Sequence, residues 1–332
     1  MSIVIFGGDG YLGWPLTMKV AREYPGEKIF IVDNQTRRNL VKEVRGESVT
    51  PVLPLPERIV AFSDVFKTAK DQISWVSINV TTPEVDDLLK DIKPRLIFNL
   101  AQVGSAAYSM RGPEESAFTL KNNEVGNLRI LWAVRRNCPD AQIIKSGSMG
   151  QYAKCGIDIA EGYFFPEYRG KKATVPAPFP RQSDDVYHIS KINDSNYVSM
   201  ACRKWGLSVT DVMQSTVFGV HTEETRKSEL LYTRFDQDEY FGTVLNRFIS
   251  QVISDHPLTV YGTGLQRTGL MAIEDALNSL VAMSREKPVH GVHRVINNVT
   301  EKSYCISELA ADVRKYAEQL GHRVEVSVGR HN

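Results

Sequence analysis

Short apolar runs alternate with longer amphipathic segments along the first two thirds of the chain. The runs are rich in branched side chains and bounded by polar or turn residues, which is typical of buried strands. They comprise Ser2–Phe6, Lys28–Val32, 96–100 and Gln142–Ser146. Helical periodicity covers 15–23, 84–90 and 115–136. Strands and helices in alternation predict a doubly wound α/β fold, in which a parallel sheet is covered by helices on both faces.

The segment 115–136 is the longest of these predicted helices. Its apolar residues recur at helical spacing, which predicts a stripe buried against the sheet. The stripe comprises Leu120, Val125, Leu128, Leu131, Trp132 and Val134. A second helical segment, 184–204, is a candidate to join it in a two-fold bundle. We therefore expect a homodimer.

The pattern becomes irregular after about residue 217. We expect helices at 236–255, 273–284 and 308–320, and short strands at 258–261 and 294–297. Such a tail predicts a smaller lobe over the carboxyl edge of the sheet, not a continuation of the sheet. The predicted division is a doubly wound domain, mainly 1–216, and a smaller lobe, mainly 217–332, with about 256–284 returning to the first domain.

The composition excludes several classes of protein. Forty basic and 39 acidic side chains give a formal charge of +1, which leaves no electrostatic footprint for nucleic acid or an anionic membrane. No apolar run reaches the ~20 residues of a membrane helix, and no signal-peptide pattern opens the chain. The four cysteines lack the spacing of a disulfide framework or a zinc site. We expect a cytoplasmic protein with reduced thiols and no metal.

A glycine-rich turn follows the first predicted strand. Residues 5–14 read IFGGDGYLGW, with Gly7, Gly10 and Gly13 three residues apart. Between a strand and a helix, such glycines permit a sharp turn, the approach of a pyrophosphate and close helix packing. The helix N-terminus offers N–H donors to phosphates. The turn therefore predicts a dinucleotide site in a Rossmann domain.

An acidic residue ends the second predicted strand. Asp33 follows Gly13 by 20 residues, where a carboxylate accepts hydrogen bonds from an adenosine ribose. Arg37 and Arg38 are alternative partners for a 2′-phosphate. Because the carboxylate of Asp33 repels such a phosphate, the sequence favours NAD over NADP.

Residues 187–191 read YHISK, which places Tyr187 and Lys191 one helical turn apart. Oxidation of a secondary alcohol requires a base for the hydroxyl proton, and a free tyrosine, with a pKa of about 10, is too weak. A nearby ammonium and a nicotinamide ring favour the phenolate. Ser148, just after the strand Gln142–Ser146, is a candidate to bind the same hydroxyl. The pattern predicts an alcohol-oxidising enzyme.

This order of glycine turn, serine and YxxxK resembles the extended short-chain dehydrogenase/reductase superfamily, whose members modify nucleotide-linked sugars. More narrowly, the chain resembles the UDP-sulfoquinovose synthase family. The stretches that resemble it are GGDGYLGW at 7–14, VDNQTRR at 32–38, SAAYSM at 105–110, SMGQY at 148–152, DIAEGY at 158–163, YHISKINDS at 187–195, FGTVLNRF at 241–248 and HPLTVYG at 256–262.

The resemblance implies roles for individual residues. Tyr187, Lys191 and Ser148 would serve oxidation at sugar C4, with the hydride held on NAD. His188 and Met149 would lie beside the 4-keto intermediate, with His188 as acid or base for loss of water across C5 and C6. Further positions that it implies are Gln151 for catalysis; Asp9, Tyr11, Leu12, Asn34, Asn79, Val80, Leu100, Ala101, Asn122 and Gln214, beside Tyr187 and Lys191, for the cofactor; and Ser105, Tyr108, Asn246, Arg247, Tyr261 and Arg267 for the substrate.

The chain departs from the synthase pattern at two positions that bear on the product. Gln151 replaces a glutamate, and Gly104 replaces an arginine suited to sulfite. The resemblance implies a UDP-hexose substrate, with UDP-glucose and sulfite as the synthase substrates. A UDP-sugar 4-epimerase remains an alternative, because it needs only the tyrosine, lysine and serine. A non-catalytic NAD-binding sensor is a second alternative, against which Tyr187 and Lys191 argue.

Overall fold

The computed structural model describes residues 1–329 as a large parallel sheet with a smaller lobe at its carboxyl edge. The helices are α1 (Gly13–Glu23), α2 (Thr36–Glu43), α3 (Leu55–Phe66), α4 (Glu84–Ile92), α5 (Ala106–Ser109), α6 (Pro113–Leu120), α7 (Gly126–Asn137), α8 (Val186–Trp205), α9 (Val244–Ile253), α10 (Ile273–Ser284) and α11 (Ile306–Gln319). The strands are β1 (Ser2–Phe6), β2 (Lys28–Val32), β3 (Ile73–Val76), β4 (Leu96–Asn99), β5 (Gln142–Ser146), β6 (Tyr163–Phe164), β7 (Glu167–Tyr168), β8 (Lys171–Lys172), β9 (Ala177–Pro178), β10 (Ser208–Gln214), β11 (Thr216–Phe218), β12 (Leu258–Tyr261), β13 (Arg267–Ala272), β14 (His293–Asn298), β15 (Ser303–Cys305) and β16 (Val326–Gly329).

Seven parallel strands form the large sheet, in the order β14-β10-β5-β4-β1-β2-β3. In its centre, Ile5 of β1 lies opposite Ile31 of β2 and Phe98 of β4. One face packs on α1, α3 and α10, and the other on α4, α7 and α8. Because both faces are covered, the strands read as nearly continuous apolar runs. The predicted doubly wound α/β fold is confirmed.

The tail contributes to the large sheet, contrary to our prediction. β14 pairs in parallel with β10, from Val209 opposite His293 to Gln214 opposite Asn298. By contrast, β12 pairs with β16 inside the small lobe. The segment that returns to the large sheet runs from α10 to β14, so it shares only α10 with the predicted range 256–284. This pairing depends on a strand more than 80 residues away, which local periodicity does not report.

The predicted helix at 236–255 is shorter than expected, because α9 begins only at Val244. Upstream of it, the side chain of Asp238 accepts hydrogen bonds from the backbone N–H groups of Tyr240 and Phe241, at 2.9 and 2.8 Å. An aspartate that bonds nearby backbone in this way favours a turn over a helix. The sequence pattern could not separate this turn from the helix that follows it.

The predicted helix at 115–136 is continuous, but its middle turn, Lys121–Val125, is π-helical. A π-helical turn contains an extra residue and rotates the side chains that follow it. The stripe is therefore wrong at two positions, because Val125 is 46% exposed and Trp132 37% exposed. Ile130 and Ala133 are buried in addition to Leu131 and Val134.

No helix within residues 1–329 has the length and apolar character needed to cross a membrane. The four cysteines have free thiols, and Cys155, unlike the other three, is exposed.

Candidate active site

A cleft of about 810 Å³ lies between the carboxyl edge of the large sheet and the small lobe. One wall is formed by the turn after β1 and by the ends of β2, β4 and β5, and the opposite wall by β13 and residues 299–303. The N-terminal half of α8 forms the floor, with Tyr187, His188 and Lys191. Ligands in open parallel sheets bind at this edge, which makes the cleft the candidate site.

The glycine turn closes one end of this cleft. Gly7 has a backbone φ of +80°, which residues with a side chain rarely adopt. Its N–H donates to the carbonyl of Val32 at 2.8 Å. A Cβ placed on Gly13 would overlap with the carbonyl oxygen of Gly7. The glycines of this turn thus bring backbone groups to the surface of the cleft. This cradle fits the pyrophosphate of a dinucleotide.

Asp33 lies at the end of β2, where it lines the cleft. Its carboxylate accepts hydrogen bonds from the backbone N–H groups of Asp9 at 2.9 Å and Gln35 at 2.6 Å. Burial and the neighbouring charge of Asp9 raise its pKa to about 6. The carboxylate is thus placed for a ribose and is ionised only above mildly acidic pH.

Two predicted cofactor residues lie behind the turn instead of in the cleft. Asp9 is 2% exposed and forms ion pairs with Arg38 at 2.6 Å and with the buried Arg58. Arg38 also donates to the carbonyls of Val52 and Leu53. The buried carboxylate of Asp9 needs a positively charged partner, and Arg38 provides it. These contacts hold the guanidinium of Arg38 away from the cleft. Arg37 does line the cleft and is paired with Asp236 at 2.8 Å.

Tyr187, Lys191 and Ser148 converge on the cleft, as predicted from the sequence. The ammonium nitrogen of Lys191 lies 5.7 Å from the centroid of the Tyr187 ring and donates to the carbonyl of Ser146 at 2.7 Å. Ser148 accepts a hydrogen bond from the N–H of Gly150 at 3.1 Å, so its own O–H remains a donor for a ligand. Burial, with Asp185 and Asp194, raises the pKa of Tyr187 above its ordinary value, whereas Arg37 opposes this. An added positive charge is therefore needed to make it a base.

His188 lies beside Tyr187, with ring centroids 4.7 Å apart, and is held by a residue that the sequence analysis missed. Asp185 caps α8, accepting from the backbone N–H of His188 at 2.8 Å and pairing with its ring Nδ1 at 2.6 Å. This contact leaves Nε2 toward Gly150, where an added Cβ would overlap with it. Burial alone would raise the pKa of Asp185, but the hydrogen bonds from His188 outweigh burial and lower it. The two form an oriented acid–base pair.

Gln151 does not reach the cleft, so the structure contradicts its catalytic assignment. It is fully buried, donates to the sulfur of Met213 and accepts from Ser195 at 3.1 Å. The side chain turns inward because these partners lie on β10 and α8. Met149 and Gly104 do line the cleft, and a Cβ on Gly104 would lie 3.9 Å from the phenol oxygen of Tyr187.

Asn122 lines the cleft, whereas its neighbour Asn123 supports the cleft from behind. Asn123 is fully buried in the π-helical turn, accepts from the N–H of Val103 at 2.8 Å and donates to Ser190 at 3.0 Å. The sequence does indicate a special role for this position, because two adjacent asparagines interrupt an apolar helical segment and asparagine is a poor helix former. Asn123 therefore fixes the loop after β4 against α8.

The remaining predicted cofactor residues mostly line the cleft. Those that do are Tyr11, Leu12, Asn34, Val80, Leu100, Ala101 and Gln214. Asn79 does not: its carboxamide oxygen accepts from the N–H and hydroxyl of Thr81, both at 3.0 Å. This local turn occupies the oxygen of a side chain that we expected to bind the cofactor.

Most of the predicted substrate residues lie outside the cleft. Arg267 lines it and donates to Ser303. The other side chains make contacts within the protein. Ser105 caps α5, and Tyr108 stacks on Phe241. Asn246 accepts from the N–H of Gly219, while Arg247 donates to Thr259 and lies over the ring of Tyr261. Of these four, none is more than 6% exposed. Lys154 and Lys302, which the sequence analysis missed, line the cleft and are exposed.

Within residues 1–329, no group of three or more histidine, cysteine or acidic side chains is placed to hold a metal ion.

Comparison with known proteins agrees with the motifs. UDP-sulfoquinovose synthase from Sulfolobus acidocaldarius is 36% identical over 328 residues, which is 98% of this chain and 81% of the relative. The chloroplastic UDP-sulfoquinovose synthase of Spinacia oleracea is 34% identical over 323 residues, 97% of this chain but only 66% of the relative. The chain thus spans just under two thirds of the spinach protein. The predicted resemblance is confirmed.

Solved structures with the same fold are more distant in sequence. UDP-glucuronic acid 4-epimerase from Bacillus cereus superposes with a TM-score of 0.70 at 15% identity, covering 99% of this chain and 86% of that one. UDP-glucose 4-epimerase from Thermotoga maritima gives 0.68 at 18% identity, covering 100% and 86%. At such identities the match shows the fold alone.

The family-level match extends over most of the chain. The model of the NAD dependent epimerase/dehydratase family matches residues 3–297, from the first strand of the glycine-turn unit to β14. This confirms NAD as the cofactor at the level of the family, in agreement with the cradle at Gly7 and the position of Asp33. The chain therefore belongs to the NAD dependent epimerase/dehydratase family.

Proposed function

We propose that this protein is an NAD-dependent enzyme that modifies a UDP-hexose through transient oxidation at sugar C4, with formation of UDP-sulfoquinovose from UDP-glucose and sulfite as the favoured reaction. The observation that carries the proposal is the convergence of Tyr187, Lys191 and Ser148 on one cleft beside the glycine turn. The two synthase relatives support the choice of substrate and product.

In the oxidation step, Tyr187 takes the proton of the C4 hydroxyl while Ser148 donates a hydrogen bond to the same oxygen. Lys191 lies below the phenol and stabilises the phenolate by its charge. When bound, NAD supplies the hydride acceptor for C4, returns the hydride at the end of the cycle, and adds a positive ring near the phenol. Asp33 and the backbone at Gly7 and Gly13 hold the ribose and the pyrophosphate.

The resulting C4 ketone makes the C5 proton acidic, which permits elimination. His188, oriented by Asp185, is the acid–base group beside this carbon. It removes the C5 proton and then protonates the C6 hydroxyl, which leaves as water. Hydrogensulfite adds through sulfur to C6 of the resulting alkene, and its proton is passed by His188 to C5. Reduction at C4 restores the hydroxyl, so that one water is lost and one sulfite is gained overall.

A 4-epimerase is the second candidate, and two positions favour it. Gln151 is buried and its carboxamide cannot serve as a general acid or base, and Gly104 brings no cation to the cleft. Epimerisation needs neither group, because the ketone has only to present its other face to the hydride.

Identification of the product separates these candidates. Purified protein is incubated with UDP-glucose and NAD, with and without sulfite, and the nucleotides are analysed by mass spectrometry. We expect a sulfonated UDP-sugar that forms only with sulfite. UDP-galactose as the sole product would favour the epimerase, and bound NAD without any turnover would favour a sensor. The variant Gly104→Arg, which adds a cation at a position that lines the cleft, is expected to increase the sulfonated fraction.

We expect the affinity for NAD to fall as the pH decreases through about 6, the raised pKa of Asp33. Ribose hydroxyls donate to the ionised carboxylate, so protonation of Asp33 opposes binding, by up to about tenfold per pH unit. Asp33→Asn is expected to bind NAD weakly at neutral pH and to lose this pH dependence. The exposed Asp64→Asn variant is the matched control and should keep the wild-type profile, measured by calorimetry. A wild-type affinity that is constant across this range would contradict the assignment of Asp33.

We also propose a homodimer. Phe118, Val125 and Trp132 are exposed along the α6–α7 helix, and Ile189 is exposed on α8, which packs against that helix. Such an apolar row is typical of a helix-bundle interface. The mass of the native protein in solution, measured by sedimentation, tests this.

We further propose that residues 1–216 chiefly bind NAD and that the remainder chiefly binds the sugar nucleotide. The four free thiols suit a reducing compartment, and we propose that the enzyme works in the cytoplasm.

A further inference from the structure

Four charged side chains are buried together beneath the floor of the cleft. Lys145 lies on β5, Asp211 on β10, and Lys191 and Asp194 on α8, and none is more than 1% exposed. The ammonium of Lys145 lies 3.4 Å from Asp211 and 3.7 Å from Asp194. Buried charges are costly unless they balance, and here two positive groups face two negative groups.

Lys191 receives the least direct compensation in this cluster. Within residues 1–329, no carboxylate lies within 4.0 Å of its ammonium, and the hydrogen bond that it donates goes to the carbonyl of Ser146. Lys145, in contrast, contacts both carboxylates. The two lysines therefore compete for the same negative charges.

Asp194 is the member of the cluster that is least committed to other partners. One of its oxygens accepts from Gln102 at 3.1 Å, and the other has no hydrogen-bond partner among the described residues. Asp211 is more fully engaged, since it accepts from Ser195 and lies 3.4 Å from His293. The charge of Asp194 is thus the one most available to Lys191, one helical turn away.

We propose that Asp194 and Lys145 are positioning residues that act with opposite sign on Lys191: Asp194 keeps its ammonium protonated beneath Tyr187, and Lys145 limits that effect. The inference rests on the proposed role of Lys191 in C4 oxidation. It gives the buried cluster a purpose beyond folding, because the charge on Lys191 decides how readily Tyr187 becomes a base.

The electrostatic surroundings agree with this assignment. Burial, and then the charge of Lys145, lower the pKa of Lys191, while Asp194 and Asp211 oppose them. Burial raises the pKa of Asp194, against the charges of Lys145 and Lys191. Other charged or titratable groups also lie around α8. They include His293 on β14, Asp185 at the start of α8 and Arg37 across the cleft. Glu124 accepts from Asn193 and Tyr197 on the side of α8 that faces away from the cleft.

The direct test is the titration of Lys191 by NMR, in protein labelled with ¹³C at the lysine ε-carbon. Lys191→Arg identifies the resonance, and neither NAD nor substrate is required. We expect the wild-type midpoint to lie well below the ordinary value of about 10.4. Asp194→Asn should lower it further, and Lys145→Met should raise it, each by at least about one unit, as expected for a buried neighbouring charge.

Matched variants separate a charge effect from damage to the fold. The double variant Lys145→Met, Asp194→Asn removes one charge of each sign, so the midpoint of Lys191 should stay close to that of the wild type. This variant also tests the proposal if Asp194→Asn alone does not fold. Glu124→Gln removes a carboxylate on the outer side of α8 and should leave the midpoint unchanged. Shifts of the same sign in the two single variants, or a wild-type midpoint near the ordinary lysine value, would overturn the proposal.

The pH profile of hydride transfer is then measured in the same variants. We expect the rate at neutral pH to fall about fivefold or more in Asp194→Asn, because a decrease of one unit from a pKa of about 7 lowers the protonated fraction of Lys191 by about that factor. If the NMR midpoints move as described but no variant or wild type transfers hydride, the charge balance stands and the proposed function fails.

Discussion

Tyr187→Phe is expected to lose hydride transfer while the protein still folds and binds NAD. The phenol oxygen is the only atom removed, and positioned acid–base catalysis contributes about 10²- to 10⁴-fold in rate. We expect a decrease of that size in the formation of NADH, followed at 340 nm after mixing the NAD complex with UDP-glucose. Affinity for NAD, measured by calorimetry, should change little, because the cradle at Gly7 is built by the backbone of the turn after β1 and not by α8.

Tyr197→Phe is the matched control for this variant. It removes the same atom from the same helix, but its hydroxyl donates to Glu124 at 3.3 Å, outside the cleft. We expect its rate to remain close to wild type. Undiminished hydride transfer in Tyr187→Phe would refute the assignment of the base.

Gly13→Ala is expected to weaken NAD binding by about 10- to 100-fold. The added Cβ would overlap with the carbonyl oxygen of Gly7, which is backbone and cannot rotate away, so the turn and α1 must separate. Overpacking of this kind costs about 1–3 kcal/mol, and every 1.4 kcal/mol is a factor of ten in affinity. Circular dichroism at the same temperature shows whether the chain remains folded.

Gly26→Ala is the control for this substitution. Gly26 lies in the turn between α1 and β2, and a Cβ there would meet no atom within 4 Å. We expect its NAD affinity to equal that of the wild type. Equal affinity in Gly13→Ala would show that the turn does not hold the dinucleotide.

The sequence predicts four strands of the large sheet, β1, β2, β4 and β5, because each is specified locally, whereas β3 and β10 were not predicted. A run such as KIFIV between polar residues is typical of a buried strand, and β2 has the predicted bounds, Lys28–Val32. The strand at 294–297 was predicted, but its place in the large sheet was not, because that place depends on pairing with β10, a contact between residues far apart in sequence. Local periodicity reports what a segment forms and not where it docks.

The site follows the same rule. Tyr187 and Lys191 were predictable because one helical turn places both on one face. The direction of the Gln151 side chain was not predictable, because its partners are Met213 and Ser195, and no sequence spacing relates these residues to Gln151. Asp185 could have been found: an aspartate directly before a helix, three residues from His188, is the spacing of an N-cap.

The buried cluster could not be recognised from the sequence. Lys145 lies in the apolar run QIIKS, and a lysine there reads as an interruption of a strand. Only the fold shows that Asp194 and Asp211 approach it from α8 and β10.

The most direct test of the central claim is the effect of deuterium at C4 of UDP-glucose on transient reduction of the bound cofactor. The NAD complex is mixed rapidly with unlabelled, 4-deuterated or 3-deuterated UDP-glucose, and absorbance at 340 nm is recorded. We predict that the 4-deuterated sugar slows the reduction and that the 3-deuterated sugar reacts as the unlabelled one does. Slowing by deuterium at C3 alone, or no reduction with any of the three, would contradict oxidation at C4 by Tyr187 and Lys191.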